Sequence, residues 1–424
     1  MLATAATLAA PLSLSAQMTP QRTSVNDDET RVAPYTLPDP LVRENGTRVR
    51  TPDEWFRERR PELFAVFERE VYGRSPERPA GMRFDTRSVD ADALGGRATR
   101  KEVRIHLMAG QEEPFIDVLL YIPNGRRGPV PIFLALTYGN HTITSDPGVS
   151  ISPHFLRDRP RPDTARGPAP RGREASRWPI DTILARGYGL AAVYLGDLDP
   201  DAKDRVSNGV RPFFYKAGQT GPQSDEWAAL ATWGWGLSRA LDYLERDPDV
   251  DARRVALMGH SRTGKASLWA GARDTRFAMV IANESGTGGA KLSRRNFGET
   301  VAVINNGFPY WFARNFRKYD GRESELPVDQ HELIALLAPR PVYIAAAAAD
   351  LWADPKGMFL AGKGAEPVYR LLGAPVALPA SMPEIDRPAL EGRIGFHIRP
   401  GIHDVTLYDW QQFLAFADLH LRGR

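Results

Sequence analysis

RRVALMGHSRTGKASLW, residues 253–269, is the most informative local pattern in the chain. Its first part is an apolar run typical of a buried strand, and its second part has the apolar spacing of a helix. Gly259 and Gly264 flank the junction, where residues without a Cβ let strand and helix approach closely. We therefore predict a sharp strand-to-helix turn that presents the hydroxyl of Ser261 at the carboxyl end of the strand.

This unit is one of several, because strand-like runs alternate with helical patterns along most of the chain. The strand-like runs cover residues 130–136, 189–195, 254–258, 279–282 and 341–349, and the helical patterns cover 180–186, 226–245, 265–272, 333–337 and 409–421. Such alternation predicts an α/β fold, a three-layer αβα sandwich whose central sheet is mostly parallel. In these sheets, functional sites form at the carboxyl ends of the strands.

The N-terminal part of the chain predicts additional pieces. Residues 18–50 are polar and rich in Pro, Asp and Arg, which indicates an extended arm. Residues 51–72 have an N-cap and helical spacing, and so predict a helix. Two β-like runs, 101–108 and 115–122, are joined by a Gly-containing turn and predict a hairpin.

Two segments are interpreted from composition alone. Residues 1–17 are apolar and small, which is typical of a secretory signal peptide and predicts a secreted or periplasmic protein; the alternative is a disordered, Ala-rich tail. Residues 155–177 are rich in Arg, Pro and Gly without periodicity, and predict an inserted surface loop, or alternatively a basic rim for an acidic polymer. Residues 51–424 are expected to form a single catalytic domain.

The overall composition excludes several classes of protein. The net charge is only +3, from 55 Lys and Arg against 52 Asp and Glu, unlike the concentrated basic face of a nucleic-acid-binding protein. No stretch after the first residues approaches the roughly 18 apolar residues of a membrane helix. There is no cysteine, which removes disulfides and thiolate nucleophiles. We expect a monomer with neither a nucleic-acid nor a membrane partner.

The glycine-bracketed turn is compatible with two chemistries. The usual nucleophile elbow is G-x-S-x-G, and here the second glycine comes one residue late. The same letters fit the phosphate-binding G-x-x-x-x-G-K loop, but Ala266 stands where that loop needs Ser or Thr. Asp197, at the end of an apolar strand, could serve such a loop as a metal ligand. A catalytically silent binding module is a third possibility.

Residues further along the chain favour a serine esterase with a nucleophile elbow over a protein with a phosphate-binding loop. Asp350 follows the apolar run 341–349, and His403 lies in a Gly-containing loop before the last helix. The order Ser, acid, His is that of α/β-hydrolases, with His403 better placed than His397 in the preceding strand. A second acid, Glu284, also ends a strand, and the sequence does not choose between it and Asp350.

Five motifs together resemble the glucuronoyl esterases, the fifteenth carbohydrate esterase family, in its bacterial branch. They are GHSRTGK at 259–265, NESGTGG at 283–289, SRRNFGET at 293–300, LWADP at 351–355 and PGIH at 400–403. The likeness extends over roughly residues 100–421. It implies hydrolysis of the ester between (4-O-methyl-)glucuronic acid of glucuronoxylan and a lignin alcohol, without a cofactor. An acetyl or other carbohydrate esterase on the same scaffold is the alternative.

The resemblance also implies roles for individual residues. Ser261 matches the nucleophile, and His403 matches the general base and then acid. Glu284 matches the family's acid, and Asp350 matches an additional acid of bacterial members. Arg262 matches an arginine that holds the oxyanion, although arginines are more often paired with an acid.

The resemblance assigns sugar binding to three further residues: Lys265, Glu299 and Trp352. A salt bridge on a solvated face is the alternative for the first two, and packing is the alternative for Trp352. Fungal members have a cysteine where this chain has His260. No cluster has metal-ligand spacing, so we expect no metal.

Overall fold

Nine β-strands form one sheet in the part of the chain that the computed structural model describes, residues 25–158 and 170–422. The strands are β1 (Arg83–Asp92), β2 (Ala98–His106), β3 (Phe115–Pro123), β4 (Val130–Thr137), β5 (Gly189–Tyr194), β6 (Val250–His260), β7 (Met279–Asn283), β8 (Val342–Ala347) and β9 (Ile394–Arg399). Their order across the sheet is β1-β2-β3-β5-β4-β6-β7-β8-β9. β4 to β9 run parallel, and β1 to β3 pair antiparallel. The predicted mostly parallel sheet is confirmed.

Helices cover both faces of this sheet. Within the described ranges, the α-helices of six residues or more are Arg60–Phe67, Pro153–Asp158, Ile180–Ala185, Ala229–Leu244, Arg262–Arg273, Val301–Gly307, Gln330–Ala335, Pro355–Leu371 and Leu407–Leu421. Alternate residues of β4 belong to two separate cores, Ile132 to one and Phe133 to the other. The first core contains Trp269 of helix 262–273, and the second contains Trp410 of helix 407–421. This is the three-layer sandwich expected from the alternation of strands and helices.

The N-terminal pieces follow the sequence prediction in outline. Residues 52–72 are continuously helical, opening with a capping box between Thr51 and Glu54 and passing through π-helical turns at Trp55–Arg59 and Glu68–Tyr72. β2 and β3 form the predicted hairpin.

The arm before this helix packs on the rest of the molecule. Leu41 is buried in the same core as Trp269. Further upstream, the Asn26 carbonyl accepts a 2.7 Å hydrogen bond from the Gly298 amide, and Glu29 pairs with Arg295. The arm is therefore tied to the segment 295–298.

Three elements differ from the sequence prediction. The edge strand β1 was missed because its side chains are polar and largely exposed, so it lacks an apolar alternation. Helix Pro355–Leu371 was missed because it contains internal glycines and Pro367, which have low helix propensity. Residues 155–158, which were predicted to be part of the loop 155–177, instead belong to helix Pro153–Asp158. His154 and Phe155 of this helix are buried.

Some expectations concern residues outside the described ranges. The predicted signal peptide over 1–17 lies there, as do residues 159–169 of the predicted insertion. Among the described residues, no helix combines the length and apolar character needed to cross a membrane.

Candidate active site

The turn after β6 has the backbone geometry of a nucleophile elbow. Ser261 has φ 57° and ψ −125°, and its amide donates a 2.9 Å hydrogen bond to the Asn283 carbonyl on neighbouring β7. A Cβ on Gly259 would lie 2.2 Å from the Thr263 carbonyl oxygen, and one on Gly264 would lie 3.0 Å from the Gly259 carbonyl oxygen. Gly259 therefore leaves no room for a side chain, and Gly264 leaves very little. A positive φ at a serine is strain of the kind stored at functional sites.

The lysine of the turn is engaged by the protein itself. The Lys265 ammonium donates 2.7 Å hydrogen bonds to the Ser285 and Thr287 carbonyls, and its side chain is buried. In a phosphate-binding loop the lysine reaches the phosphates. Here two of the three N–H donors of the lysine are taken by carbonyls, which leaves at most one for any ligand.

His403 contacts both candidate acids through one ring nitrogen. Its Nδ1 lies 2.6 Å from Asp350 Oδ2 and 3.1 Å from Glu284 Oε2. Glu284 follows β7, Asp350 follows β8 and His403 follows β9, so three adjacent parallel strands bring them together. The sequence did not choose between Glu284 and Asp350, and in the structure both acids contact His403. Two carboxylates can hold the ring with a proton on Nδ1, which leaves Nε2 to act as a base.

Arg399, on β9, secures this arrangement and was not identified from the sequence. Its guanidinium donates a 2.6 Å hydrogen bond to Glu284 and bonds both carboxylate oxygens of Asp409. It also donates 2.6 Å to the Asp404 carbonyl, and the Asp404 amide donates 3.0 Å to Glu284. Arg399 and Glu284 together fix the loop that carries His403.

The environment shifts the pKa values of this group. Burial raises the pKa of Glu284 to about 7, in spite of its contacts with His403 and Arg399. Burial alone would lower the pKa of His403, but hydrogen bonds to Asp350 and Glu284 outweigh it and raise the value to about 9. The two carboxylates therefore stabilise a positive charge on the ring, as a base that accepts a proton requires.

Arg262 has the acid partner that was considered as the alternative to an oxyanion role. Its Nη1 pairs with Asp201 Oδ2, and the Asp201 Oδ1 accepts hydrogen bonds of 2.8 Å from the Tyr310 hydroxyl and 2.9 Å from the Trp311 indole. The sequence offered no sign of this pairing, because Asp201 lies in a loop 61 residues away. The side chain is nonetheless next to Ser261 in the chain.

The three candidate sugar-binding residues lie close together beside the elbow. Lys265 Nζ is 3.6 Å from Glu299 Oε2, and both side chains are buried, so this is not a salt bridge on a solvated face. The Glu299 amide donates a 2.9 Å hydrogen bond to the Trp352 carbonyl, and Trp352 is half-buried. Burial lowers the pKa of Lys265 to about 8. The side chains of Lys265 and Glu299 thus form one polar pair, to which Trp352 is joined through its main chain.

Spacing along the chain indicated no metal site, but three potential ligands lie together in space. One ligand atom each from His260, Glu284 and His403 lie within 4.8 Å of one another, a grouping that chain spacing hid because the residues follow different strands. However, the side-chain amide of Asn283 donates a 2.9 Å hydrogen bond from Nδ2 to His260 Nδ1. In the neutral ring the proton is then on Nε2, so neither nitrogen offers a free lone pair. This hydrogen bond disfavours metal binding at His260.

The other candidate histidine, His397, lies outside this group of residues. His397 is fully buried on β9, where its Nε2 lies 2.8 Å from Asp409 and its Nδ1 lies 2.9 Å from the Tyr343 hydroxyl. Both ring nitrogens are engaged away from Ser261. A structural role follows from these contacts.

Comparison with known proteins links this geometry to a family. A family model described as "Glucuronyl esterase, fungi" matches residues 203–373. Carbohydrate esterase MZ0003, from an unknown prokaryotic organism, is 46% identical over 94% of this chain and 92% of its own. A glucuronoyl esterase structure from Solibacter usitatus is 47% identical, with a TM-score of 0.86 over 92% of this chain and all (100%) of that one. A promiscuous CE15 esterase from a marine bacterial metagenome is 46% identical, with a TM-score of 0.85 over 94% of this chain and 100% of that one.

Proposed function

The chain belongs to the glucuronoyl esterases of carbohydrate esterase family 15, which are carboxylic ester hydrolases, and we propose that it cleaves the ester between (4-O-methyl-)glucuronic acid of glucuronoxylan and a lignin alcohol. The observation that carries the proposal is the elbow serine, Ser261, on a strand next to those that bear His403 and its two carboxylates. The buried pair of Lys265 and Glu299 supplies polar groups for a sugar beside it.

In the proposed mechanism, Ser261 Oγ attacks the uronate carbonyl carbon while His403 Nε2 takes the hydroxyl proton. The carbonyl oxygen becomes an oxyanion, which the backbone amides of the elbow and the Arg262 guanidinium stabilise; one such donor is worth about 3 kcal/mol. Collapse breaks the bond to the alcohol, which receives the proton from His403. Water, deprotonated by His403, then hydrolyses the glucuronoyl ester on Ser261 by the same steps in reverse.

The sugar-binding region distinguishes a glucuronate ester from a simple acetate ester. We expect benzyl glucuronate to be turned over with a kcat/KM at least about 100-fold above that of an aryl acetate, because only the former uses polar contacts to the ring. Acetylated xylan belongs in the same panel, since one relative is a promiscuous esterase. Preferential release of acetate from xylan would replace the proposal with an acetyl esterase.

Replacing Lys265 with methionine tests the sugar contact directly. The variant keeps the apolar stem and removes the ammonium, so kcat/KM for benzyl glucuronate is expected to fall about 30- to 100-fold. Hydrolysis of an aryl acetate should fall less than about threefold, because the acyl group has no ring hydroxyl to bind. The measurement is the ratio of the two kcat/KM values.

Lys291 provides the matched control. It is also buried and also donates to two main-chain carbonyls, those of Leu292 and Arg295. Lys291→Met should affect both esters equally. Equal losses on both esters for Lys265→Met would show that Lys265 only supports the loop.

The pH dependence follows from His403. The neutral ring is the base, and the carboxylates raise its pKa from 6.5 to about 9, so activity is lost as the pH falls through that raised value. We expect kcat/KM for benzyl glucuronate to rise with pH well beyond 6.5, after subtraction of spontaneous hydrolysis. Asp350→Asn removes one stabilising carboxylate, so its acidic limb should move to lower pH. A wild-type midpoint at or below 6.5, unchanged in Asp350→Asn, would contradict this.

The proposed substrate also bears on the location and organisation of the protein. A plant cell-wall polymer lies outside the cell, which supports a secreted or periplasmic location and the proposed signal peptide over 1–17. We retain the proposals of a monomer and of one catalytic domain over 51–424. The burial of Leu41 and Val49 in the main core supports adding the second half of the arm to this folded unit.

A further inference from the structure

The guanidinium of Arg262 is enclosed by aromatic rings. Its central carbon lies 4.7 Å from the Trp311 ring centroid, 5.2 Å from that of Phe308 and 5.8 Å from that of Tyr138. These distances are within the range of cation–π attraction. The rings come from two distant segments, so the orientation of Arg262 is set by the tertiary structure rather than by its own helix.

Asp201 closes this enclosure on one side. Its Oδ2 pairs with Arg262 Nη1, and its Oδ1 accepts hydrogen bonds from the Tyr310 hydroxyl and the Trp311 indole. The side chain of Asp201 is 14% exposed and that of Arg262 is 19% exposed. An ion pair with this little solvent and two further donors on the carboxylate is held in one geometry.

The donors that hold Asp201 are themselves anchored. The Tyr310 carbonyl accepts a 3.0 Å hydrogen bond from the Ala229 amide, and the Trp311 carbonyl accepts 3.1 Å from the Leu230 amide. These two amides open helix Ala229–Leu244, which is buried along its whole length. The enclosure of Arg262 is thus built on a rigid element.

The unpaired Nε of Arg262 indicates that its surroundings impose the orientation of the guanidinium. Nε is buried and has no hydrogen-bond partner among the described residues, and Nη1 is the nitrogen that bonds Asp201. Guanidinium donors are ordinarily satisfied, so a buried unpaired one requires a reason. The reason that fits is that the three rings and Asp201 hold the guanidinium in one orientation, although Nε then has no acceptor.

We propose that Asp201 is a positioning residue, which orients Arg262 toward the oxyanion that forms at the ester carbonyl. The inference rests on the proposed function, in which Arg262 stabilises that oxyanion. The negative charge of Asp201 weakens the field of the guanidinium, but catalysis needs a donor at a fixed place more than it needs a free charge. Tyr310 and Trp311 act through Asp201 in the same way.

Asp201→Asn separates the two sides of this carboxylate. The amide oxygen can still accept from Tyr310 and Trp311, while the amide nitrogen places a donor opposite Arg262 Nη1. We expect kcat for benzyl glucuronate to fall about 10- to 30-fold with KM within about twofold, because only the transition state carries the oxyanion. Asp204→Asn is the matched control, because Asp204 lies in the same loop with a side chain 72% exposed. It should leave kcat unchanged.

A double-mutant cycle with Arg262→Ala decides whether Asp201 acts through Arg262. Arg262→Ala alone should lower kcat by about 100- to 1,000-fold, the effect of losing an oxyanion donor. Adding Asp201→Asn to it should then change kcat by less than about twofold, since the residue to be positioned is gone. Tyr310→Phe, which removes one donor to Asp201, should lower kcat about three- to fivefold, and it serves if Asp201→Asn does not fold.

The outcomes are distinguishable. Unchanged kcat in both Asp201→Asn and Tyr310→Phe, or an equal loss from Asp201→Asn with and without Arg262, would overturn the positioning role. Unchanged kcat in Arg262→Ala would instead remove the oxyanion role from the proposed function. Thermal unfolding of each variant, measured alongside, separates a kcat loss from a loss of folded protein.

Discussion

In the Ser261→Ala variant, kcat for benzyl glucuronate is expected to fall by a factor of about a million, the usual effect of removing the nucleophile of a serine hydrolase. The substitution deletes one oxygen and keeps the positive φ of the turn, which Ala adopts about as poorly as Ser. The two glycines and the hydrogen bond from residue 261 to the Asn283 carbonyl remain. Loss of activity should therefore come with an unchanged fold.

The control for this variant is Ser267→Ala. Ser267 lies in helix Arg262–Arg273, which follows Ser261 directly, and it is fully buried. Its hydroxyl has no hydrogen-bond partner among the described residues. Its replacement should leave kcat within about twofold of wild type. A fluorophosphonate probe should label wild type and Ser267→Ala but not Ser261→Ala. More than about 1% residual turnover in Ser261→Ala would show that another group is the nucleophile.

Neutralising both carboxylates that contact His403 is expected to produce the second-largest loss of kcat. In the variant that combines Glu284→Gln with Asp350→Asn, kcat should fall about 10,000-fold, as when a triad acid is neutralised elsewhere. Each single variant should lose only about 10- to 30-fold, because the remaining carboxylate still contacts Nδ1. The losses are thus expected to combine more than additively in free energy, a sign of two groups sharing one task.

Glu284→Gln should be the more damaging single change. Glu284 accepts hydrogen bonds from Arg399 and from the Asp404 amide, in addition to its contact with His403. An amide cannot satisfy both donors and the ring in the same way. The measurement is kcat for the three variants, with thermal unfolding as the check on the fold. A single variant as inactive as the double one would show that this acid alone serves the ring.

The elements that chain order determines could be predicted from the sequence. Ser261 was identified because its turn is local, with strand, glycines and helix all within 17 residues at 253–269. Asp350 and His403 were found because each follows a strand-like segment in the order that the fold requires. The parallel sheet then brings such residues to one edge, whatever their separation along the chain.

The contacts that support these residues could not be predicted in this way. Arg399 resembles any polar residue at the end of a strand, and its bond to Glu284 spans 115 residues. Asp201 resembles an ordinary loop acid, and its link to Arg262 depends on where Trp311 is placed. Local pattern carries no information about which distant segments face each other. The same limit left the choice between Glu284 and Asp350 open, because only β8 lies directly beside β9 and yet both acids reach the His403 ring.

The N-terminal arm has a consequence for shortened forms of the protein. Through Asn26 and Glu29 it braces the segment 295–298, which precedes Glu299. Arg295 in turn bonds Asp354, two residues after Trp352. Proteolysis just before the helical segment at 52–72 would leave Ser261 and His403 in the chain. It would remove the contacts of Asn26 and Glu29 that hold the segment 295–298 next to Glu299. Such a cut would also take Leu41 and Val49 out of the main core, so we expect the shortened protein to lose stability together with its selectivity for the sugar.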